Sequence, residues 1–435
     1  MHDTCTGIAA KNKDCRDCAL PAMRGPNEPQ SFWARLLDPD FLYKWATLLL
    51  IPAYAVAAEL RSHIFVVYAI LFCFKVWKSG YVRSGLEYYF AAAVLGLAAS
   101  WIGTWDGEVL KRVLQVARII SLPILMCQYK PIRKLENALA CIFSGLAAYG
   151  LVRMLFAPLV TGYAQDRPYC YSNFFMHSSI IAFSGFLFFL VVFIRKQGWA
   201  WKLAGAVNVL VFAALIVMQS VRASYLALLV MTPLILLFEL KKKAVVSMAC
   251  LLLCAMAIAG GIFAVKPALL RTAASHASSI ADMRNGSNRG RLVFWGKAMQ
   301  VFRENPINGM GYWRFNREHV DLGNPEHEWS FWHAHSEFFS MLAETGLIGI
   351  LAWWAFKLKL LAVFFRQRKE WVGAFMLYLM LAFEIHNVFE SYLYERVAYI
   401  YVYVLLGMGL NQVMKNTARI GAGCHGSRPA GNMEE

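Results

Sequence analysis

Charge is scarce in this sequence. Only 16% of its 435 residues are charged, against 59% hydrophobic, where a soluble domain carries about 25% and 45–50%. That excludes an ordinary soluble domain and predicts an all-α, polytopic membrane protein. Carboxylates are the scarcer sign, 27 acidic residues standing against 43 basic ones for a formal charge of +16. Loops facing anionic lipid headgroups account for the excess, and no nucleic-acid partner is expected. No G-x-x-x-x-G-K-[ST] stretch occurs, so no nucleotide-driven reaction is indicated. The first thirty residues hold no apolar run of signal-peptide type, so the first apolar helix is expected to remain as a signal anchor. Ten cysteines do not make a disulfide scaffold, since half of them lie within apolar runs as small hydrophobes. Cys5, Cys15 and Cys18 include one C-x-x-C pair and with His2 offer only a weak zinc pattern, so an unstructured tail is the default.

What the chain has in abundance is apolar runs of membrane-spanning length. About twelve are counted, near 41–58, 63–77, 86–105, 110–128, 135–157, 173–194, 201–220, 223–239, 244–265, 345–364, 371–390 and 396–413. The cationic connections "KVWKSGYVR", "KPIRK", "RKQGWAWK", "KKK" and "RQRK" fall on alternate sides from "TWDGE", "PLVTGYAQDRPYCY" and "ESYLYE". Cationic loops are retained in the cytoplasm, so both termini are expected there. The organisation expected is a tail (1–40), nine spans (41–265), a long outer loop carrying short helices (266–344), three spans (345–413) and a second tail (414–435).

The long outer loop is basic, which the positive-inside rule permits because long loops cross regardless of charge. Its arginines read either as a solvated face or as ligands for an anion. Arg222, at the tight junction "MQSVRASYLALL", lies on the same side. Leu292, Trp295, Met299 and Phe302 recur at helical spacing, so Arg291 is expected to open an amphipathic helix. Free N–H groups at a helix start favour an anion. A second short helix is expected from His333 to Glu344, ended by a left-handed Gly346.

The run "GRLVFW", "NPINGMGYWRF" and "HAHSEFFSMLAETGLIGIL" resembles the domain shared by O-antigen ligases and Wzy-type O-antigen polymerases, whose hallmark is a histidine shortly before L-x-E-x-G-x-x-G. Ser336 stands where many members carry Asn. The resemblance implies a GT-C glycosyltransferase in the bacterial inner membrane with a periplasmic active site. It would move a glycan from undecaprenyl diphosphate to an acceptor hydroxyl. That reaction needs a base to take the acceptor proton, and His335 is assigned this role. It also needs cations on the diphosphate, and Arg222 and Arg291 are assigned to it. Secondary candidates are Arg289, His333 and Arg167, while Glu344 reads as structural. "DPD" (Asp38 to Asp40) and "DGE" (Asp106 to Glu108) are weak metal signals, Asp40 reading better as a helix cap, so no metal or other cofactor is expected.

Three functions stay open: a ligase using the lipid A core as acceptor, a Wzy-type polymerase extending lipid-linked repeats, and a transporter of lipid-linked sugar. The transporter is least favoured, because no inverted repeat is evident and mid-span ionisable residues are few, Arg118, Arg153, Glu384 and His386 being the exceptions. The basic loop and the Arg222 junction favour the ligase. A single base implies direct displacement with inversion.

Overall fold

The computed structural model describes residues 37–425, except 58–60, 162–169, 172–174, 220, 248–255, 257–259, 261–270, 272–273, 276, 281, 283, 323–330 and 395. Every regular element among these residues is helical. The long helices are α1 (Pro39–Val56), α2 (Arg61–Ser79), α3 (Glu87–Ala99), α4 (Gly107–Met126), α5 (Leu135–Thr161) and α6 (Phe175–Arg195). They continue as α7 (Trp199–Gln219), α8 (Arg222–Leu240), α9 (Gly286–Glu304), α10 (Glu337–Arg366), α11 (Trp371–Phe389) and α12 (Val397–His425). Seven helices among the described residues, within α5 to α8 and α10 to α12, are long and apolar enough to cross a membrane. The chain is therefore a polytopic membrane protein. The expected span at 244–265 lies largely outside the described residues, as does the Cys5, Cys15 and Cys18 tail.

Two expectations about helix ends change, one at a start and one at a finish. Asp38, not Asp40, caps α1, its carboxylate accepting from the Asp40 amide at 3.1 Å. Asp40 instead pairs with Lys75 at 2.9 Å, inside the first turn. The run 86–105 is only partly helical, because α3 stops at Ala99, where the Ser100 hydroxyl donates to the Leu97 carbonyl at 2.6 Å. Residues 100–105 carry no charge yet turn, with Gly103 at φ 96° and the Trp101 and Trp105 rings 4.6 Å apart. Hydropathy cannot separate such a turn from a helix.

The stretches His177–Arg195 of α6 and Val397–Met414 of α12 are almost wholly buried and form the centre of the bundle. Small residues set the closest approaches, as lipid-embedded helices require. Gly185 on α6 lies under the Phe212 ring of α7, and Gly96 on α3 meets Ala352 and the Ile348 carbonyl of α10.

The element that positions the site is a break in α10. Gly346 sits at φ 60°, ψ −161°, so the first turns of α10 and its membrane segment are not one straight helix. The break strands backbone groups, and the turn 306–311 satisfies them. Leu347 and Ile348 N–H donate to the Pro306 and Ile307 carbonyls at 2.9 and 3.1 Å, while Met310 and Gly311 N–H donate to Ala343 and Glu344 carbonyls at 3.0 Å. Two glycines allow this approach: a Cβ on Gly309 would lie 2.2 Å from the Glu344 carbonyl carbon, and one on Gly346 would lie 2.5 Å from that of Ile307. The stretches "NPINGMG" and "LAETGLIG" are thus two halves of one lock.

Gly346→Ala and Gly309→Ala should each destabilise the protein, by about 1–3 kcal/mol for the left-handed backbone alone and more for the clash. The check is thermal melting of the purified variants against Gly145→Ala, whose added methyl meets nothing within 4 Å. Equal melting of Gly346→Ala and Gly145→Ala would show that the lock does not hold the fold.

Candidate functional site

The expected helix from His333 begins instead at Glu337, which places His333 and His335 in the turn before α10. His335 is held at φ 49°, a left-handed conformation uncommon outside glycine, and its side chain is partly exposed. Such strain persists only where neighbours enforce it. Its own amide donates to His333 Nδ1 at 3.0 Å, its ring stacks on Phe294 of α9 at 5.4 Å, and its Nδ1 lies 3.2 Å from Glu390 Oε2.

Glu390 lies at the end of α11, nearly buried, and also accepts from Arg291 Nη2 at 2.5 Å. Arg291 donates further to the Phe389 carbonyl at 3.0 Å and the Ser287 hydroxyl at 2.7 Å. The result is a relay of guanidinium, carboxylate and imidazole. With Nδ1–H directed at the carboxylate, His335 keeps its Nε2 lone pair available to a proton.

Arg291 does not open its helix. Asn285 caps α9, its side chain accepting from the Ser287 amide at 3.2 Å, so the helix starts at Gly286 and Arg291 lies beyond the first turn. The start of α9 instead meets Arg222, whose Nη1 and Nη2 donate to Asn288 and Asn285 Oδ1, each at 3.2 Å. Asn288 and Arg291, three residues apart, share a face of α9. The structure thus brings Arg222, Arg291, His333 and His335 onto one end of the bundle. Arg289 is exposed on α9, and Arg167 lies outside the described residues.

The two histidines are not equivalent. His333 is buried, and the backbone donor at its Nδ1 places its remaining proton on Nε2, leaving no lone pair for substrate. Burial first, then the nearby His335 and Arg291, hold it well below the ordinary histidine range. The folded protein keeps His333 neutral while the unfolded chain takes up a proton below about 6.5. Stability should therefore fall as pH drops through that value. His333→Asn keeps an acceptor for the His335 amide without the titration, so its melting temperature should fall less between pH 7 and pH 5. Parallel losses in both proteins would contradict this.

Glu344 is fully buried and accepts from the Phe315 amide at 3.0 Å and from the Tyr394 hydroxyl. Sequence reasoning missed two residues. Glu390 was read only as part of an acidic connection, although its place at the end of a span was a usable hint. Glu337, directly after the histidine turn, is buried and accepts from Trp353 Nε1 at 2.8 Å and from Lys357, which also pairs with Glu384 at 2.8 Å. This ionic cluster anchors the start of α10 and hence the turn above it.

Beside this turn an apolar cavity of about 370 Å³ lies between α8, α10 and α11, lined by residues that include Met231, Leu234, Phe338, Trp354 and Leu381. Fold and site together define a polytopic membrane protein with a carboxylate-held histidine beside clustered guanidiniums and an apolar slot. Residues 206–354 match the family model described as O-Antigen ligase, and this match supports membership of that family. The match contains Arg222, Arg291, His333 and His335 and ends before Glu390. The match supports a glycosyltransferase-like enzyme. No curated protein matches the chain.

Proposed function

We propose that the protein is an O-antigen ligase of the GT-C type, with about twelve spans, both termini cytoplasmic and its active site on the periplasmic face of the bacterial inner membrane. It transfers a glycan from undecaprenyl diphosphate to a hydroxyl of the lipid A core. The observation that carries the reading is the Arg291, Glu390 and His335 relay next to the Arg222 junction.

The acceptor hydroxyl gives its proton to His335 Nε2 as its oxygen bonds to the anomeric carbon. The bond from that carbon to the diphosphate breaks, and its electron pair leaves with the diphosphate. Guanidinium groups stabilise the charge that develops there. Arg222, whose Nη1 and Nη2 also donate to Asn288 and Asn285, serves as a clamp. Arg291, with donors spent on Glu390, Phe389 and Ser287, contributes chiefly by holding the base and secondarily through its remaining N–H groups. The apolar cavity suits the polyprenyl tail. Displacement is direct and inverting, and the arginines serve where other enzymes use a metal, so EDTA should leave transfer unchanged.

Deleting the gene tests the acceptor. Loss of the ligase leaves full-length glycan on its lipid carrier and bare lipid A core. Single repeat units on the core, with no long chains, would identify a Wzy-type polymerase instead, and unchanged products would remove both readings.

A further inference from the structure

A second pocket, of about 280 Å³, lies between the start of α4 and the segment 312–319. Its lining is unlike that of the apolar slot beside α10. Trp332 and Trp313 contribute indole rings, Asp106 and Glu318 carboxylates, and Arg314 a guanidinium. Trp332 is half exposed, with Arg317 4.7 Å from its ring centroid. Tyr312 also lines the pocket; it is fully buried, yet its hydroxyl has no hydrogen-bond partner among the described residues, and the same holds for Arg314 Nε.

Indoles beside carboxylates and a guanidinium suit a saccharide. The C–H face of a sugar ring packs on an aromatic face, while its hydroxyls donate to carboxylates and accept from N–H and phenol groups. The volume falls below the ~300–1,000 Å³ of pockets for larger ligands and suits a short saccharide rather than a lipid chain.

The pocket reaches the base through stacked rings. Trp313 lies on Tyr394 at 4.4 Å, Tyr394 against His333 at 5.0 Å, and His333 against His335 at 4.5 Å. Arg291 reaches His335 by another route, through Glu390. Diphosphate and pocket are therefore served by separate groups, as a direct displacement requires when leaving group and nucleophile occupy opposite sides of the anomeric carbon.

We infer that this pocket, with Trp332 as its platform, binds the saccharide of the acceptor, holding a sugar hydroxyl toward His335. The inference rests on the proposed ligase reading and adds to it a specificity subsite. It also gives the Trp313, Tyr394 and His333 stack a task, because that stack fixes the spacing between acceptor sugar and base.

The test uses the full-length protein in nanodiscs, titrated with deacylated lipid A core oligosaccharide in the absence of donor. Wild type should bind it. Trp332→Ala and Glu318→Gln should bind at least tenfold more weakly, and Trp332→Phe, which keeps a ring, should recover most of the affinity. In turnover, Trp332→Ala and Glu318→Gln should raise the acceptor KM with donor KM and kcat unchanged. Glu318 is exposed, so its variant remains informative if Trp332→Ala fails to fold. No binding by wild type, unaltered binding by both variants, or a rise in donor KM instead would overturn the inference. Core-linked product with an acceptor KM untouched by either substitution would sink the pocket and leave the ligase standing. Trp332-dependent binding without any core-linked product would do the reverse.

Discussion

Replacing His335 with alanine should reduce glycan transfer by about 100- to 10,000-fold, the range expected when a positioned general base is lost. The loss should fall on kcat, because the ring touches the proton in flight and not the diphosphate or the lipid tail. His335 carries this burden alone, since the backbone amide of His335 occupies His333 Nδ1 and leaves the neighbouring ring no lone pair to offer. Folding should survive: the His335 side chain is partly exposed and packs on Phe294, and alanine leaves the Gly346 lock untouched. Comparing kcat and melting temperature for His335→Ala with those of His333→Asn separates the two rings. Equal losses of kcat would show that the pair acts as one structural unit.

The second large effect should come from Glu390→Gln. The carboxylate faces two donors at once, His335 Nδ1 through Oε2 and Arg291 Nη2 through Oε1. A glutamine offers one acceptor and one NH₂ group, so it must fail one of them. With its carbonyl toward His335, its NH₂ opposes the guanidinium. Turned over, the NH₂ faces Nδ1 and selects the tautomer with the proton on Nε2, which removes the base. Transfer should fall by about 10- to 10,000-fold, the upper end being the scale seen when a triad carboxylate is replaced by its amide. The acceptor KM should stay near wild type. Combining the substitution with His335→Ala should add little beyond His335→Ala, because the two residues serve one step. Additive losses in the double variant would place Glu390 outside the relay.

Much of this was legible in the sequence, for identifiable reasons. Apolar runs and scarce charge mark membrane helices, because lipid tolerates little else. The histidine ahead of the glycine-punctuated apolar run marked the site, and Gly346 was recognisable because few residues other than glycine accept a left-handed backbone. Less legible were features made by tertiary pairing. Asn285 caps α9 seven residues before the apolar period begins at Leu292, so Arg291 was misplaced at a helix start that belongs beside Arg222. Glu390 comes from a segment 55 residues away in the chain from His335, and periodicity does not carry such a contact. The turn at 100–105 was read as membrane helix because it follows the apolar run of α3 and carries no charge. The pocket around Trp332 joins residues from 106 to 332, which nothing local connects.

The most direct measurement is transfer in vitro by the purified protein in nanodiscs, with undecaprenyl-diphosphate-linked glycan as donor and lipid A core as acceptor, without nucleotide. The expected result is lipid A core bearing the glycan, with undecaprenyl diphosphate released in equal amount, and neither product formed at an appreciable rate by His335→Ala. Core-linked product from His335→Ala at the wild-type rate, or no transfer by a folded wild-type protein, would contradict a histidine-based glycosyl transfer at this site.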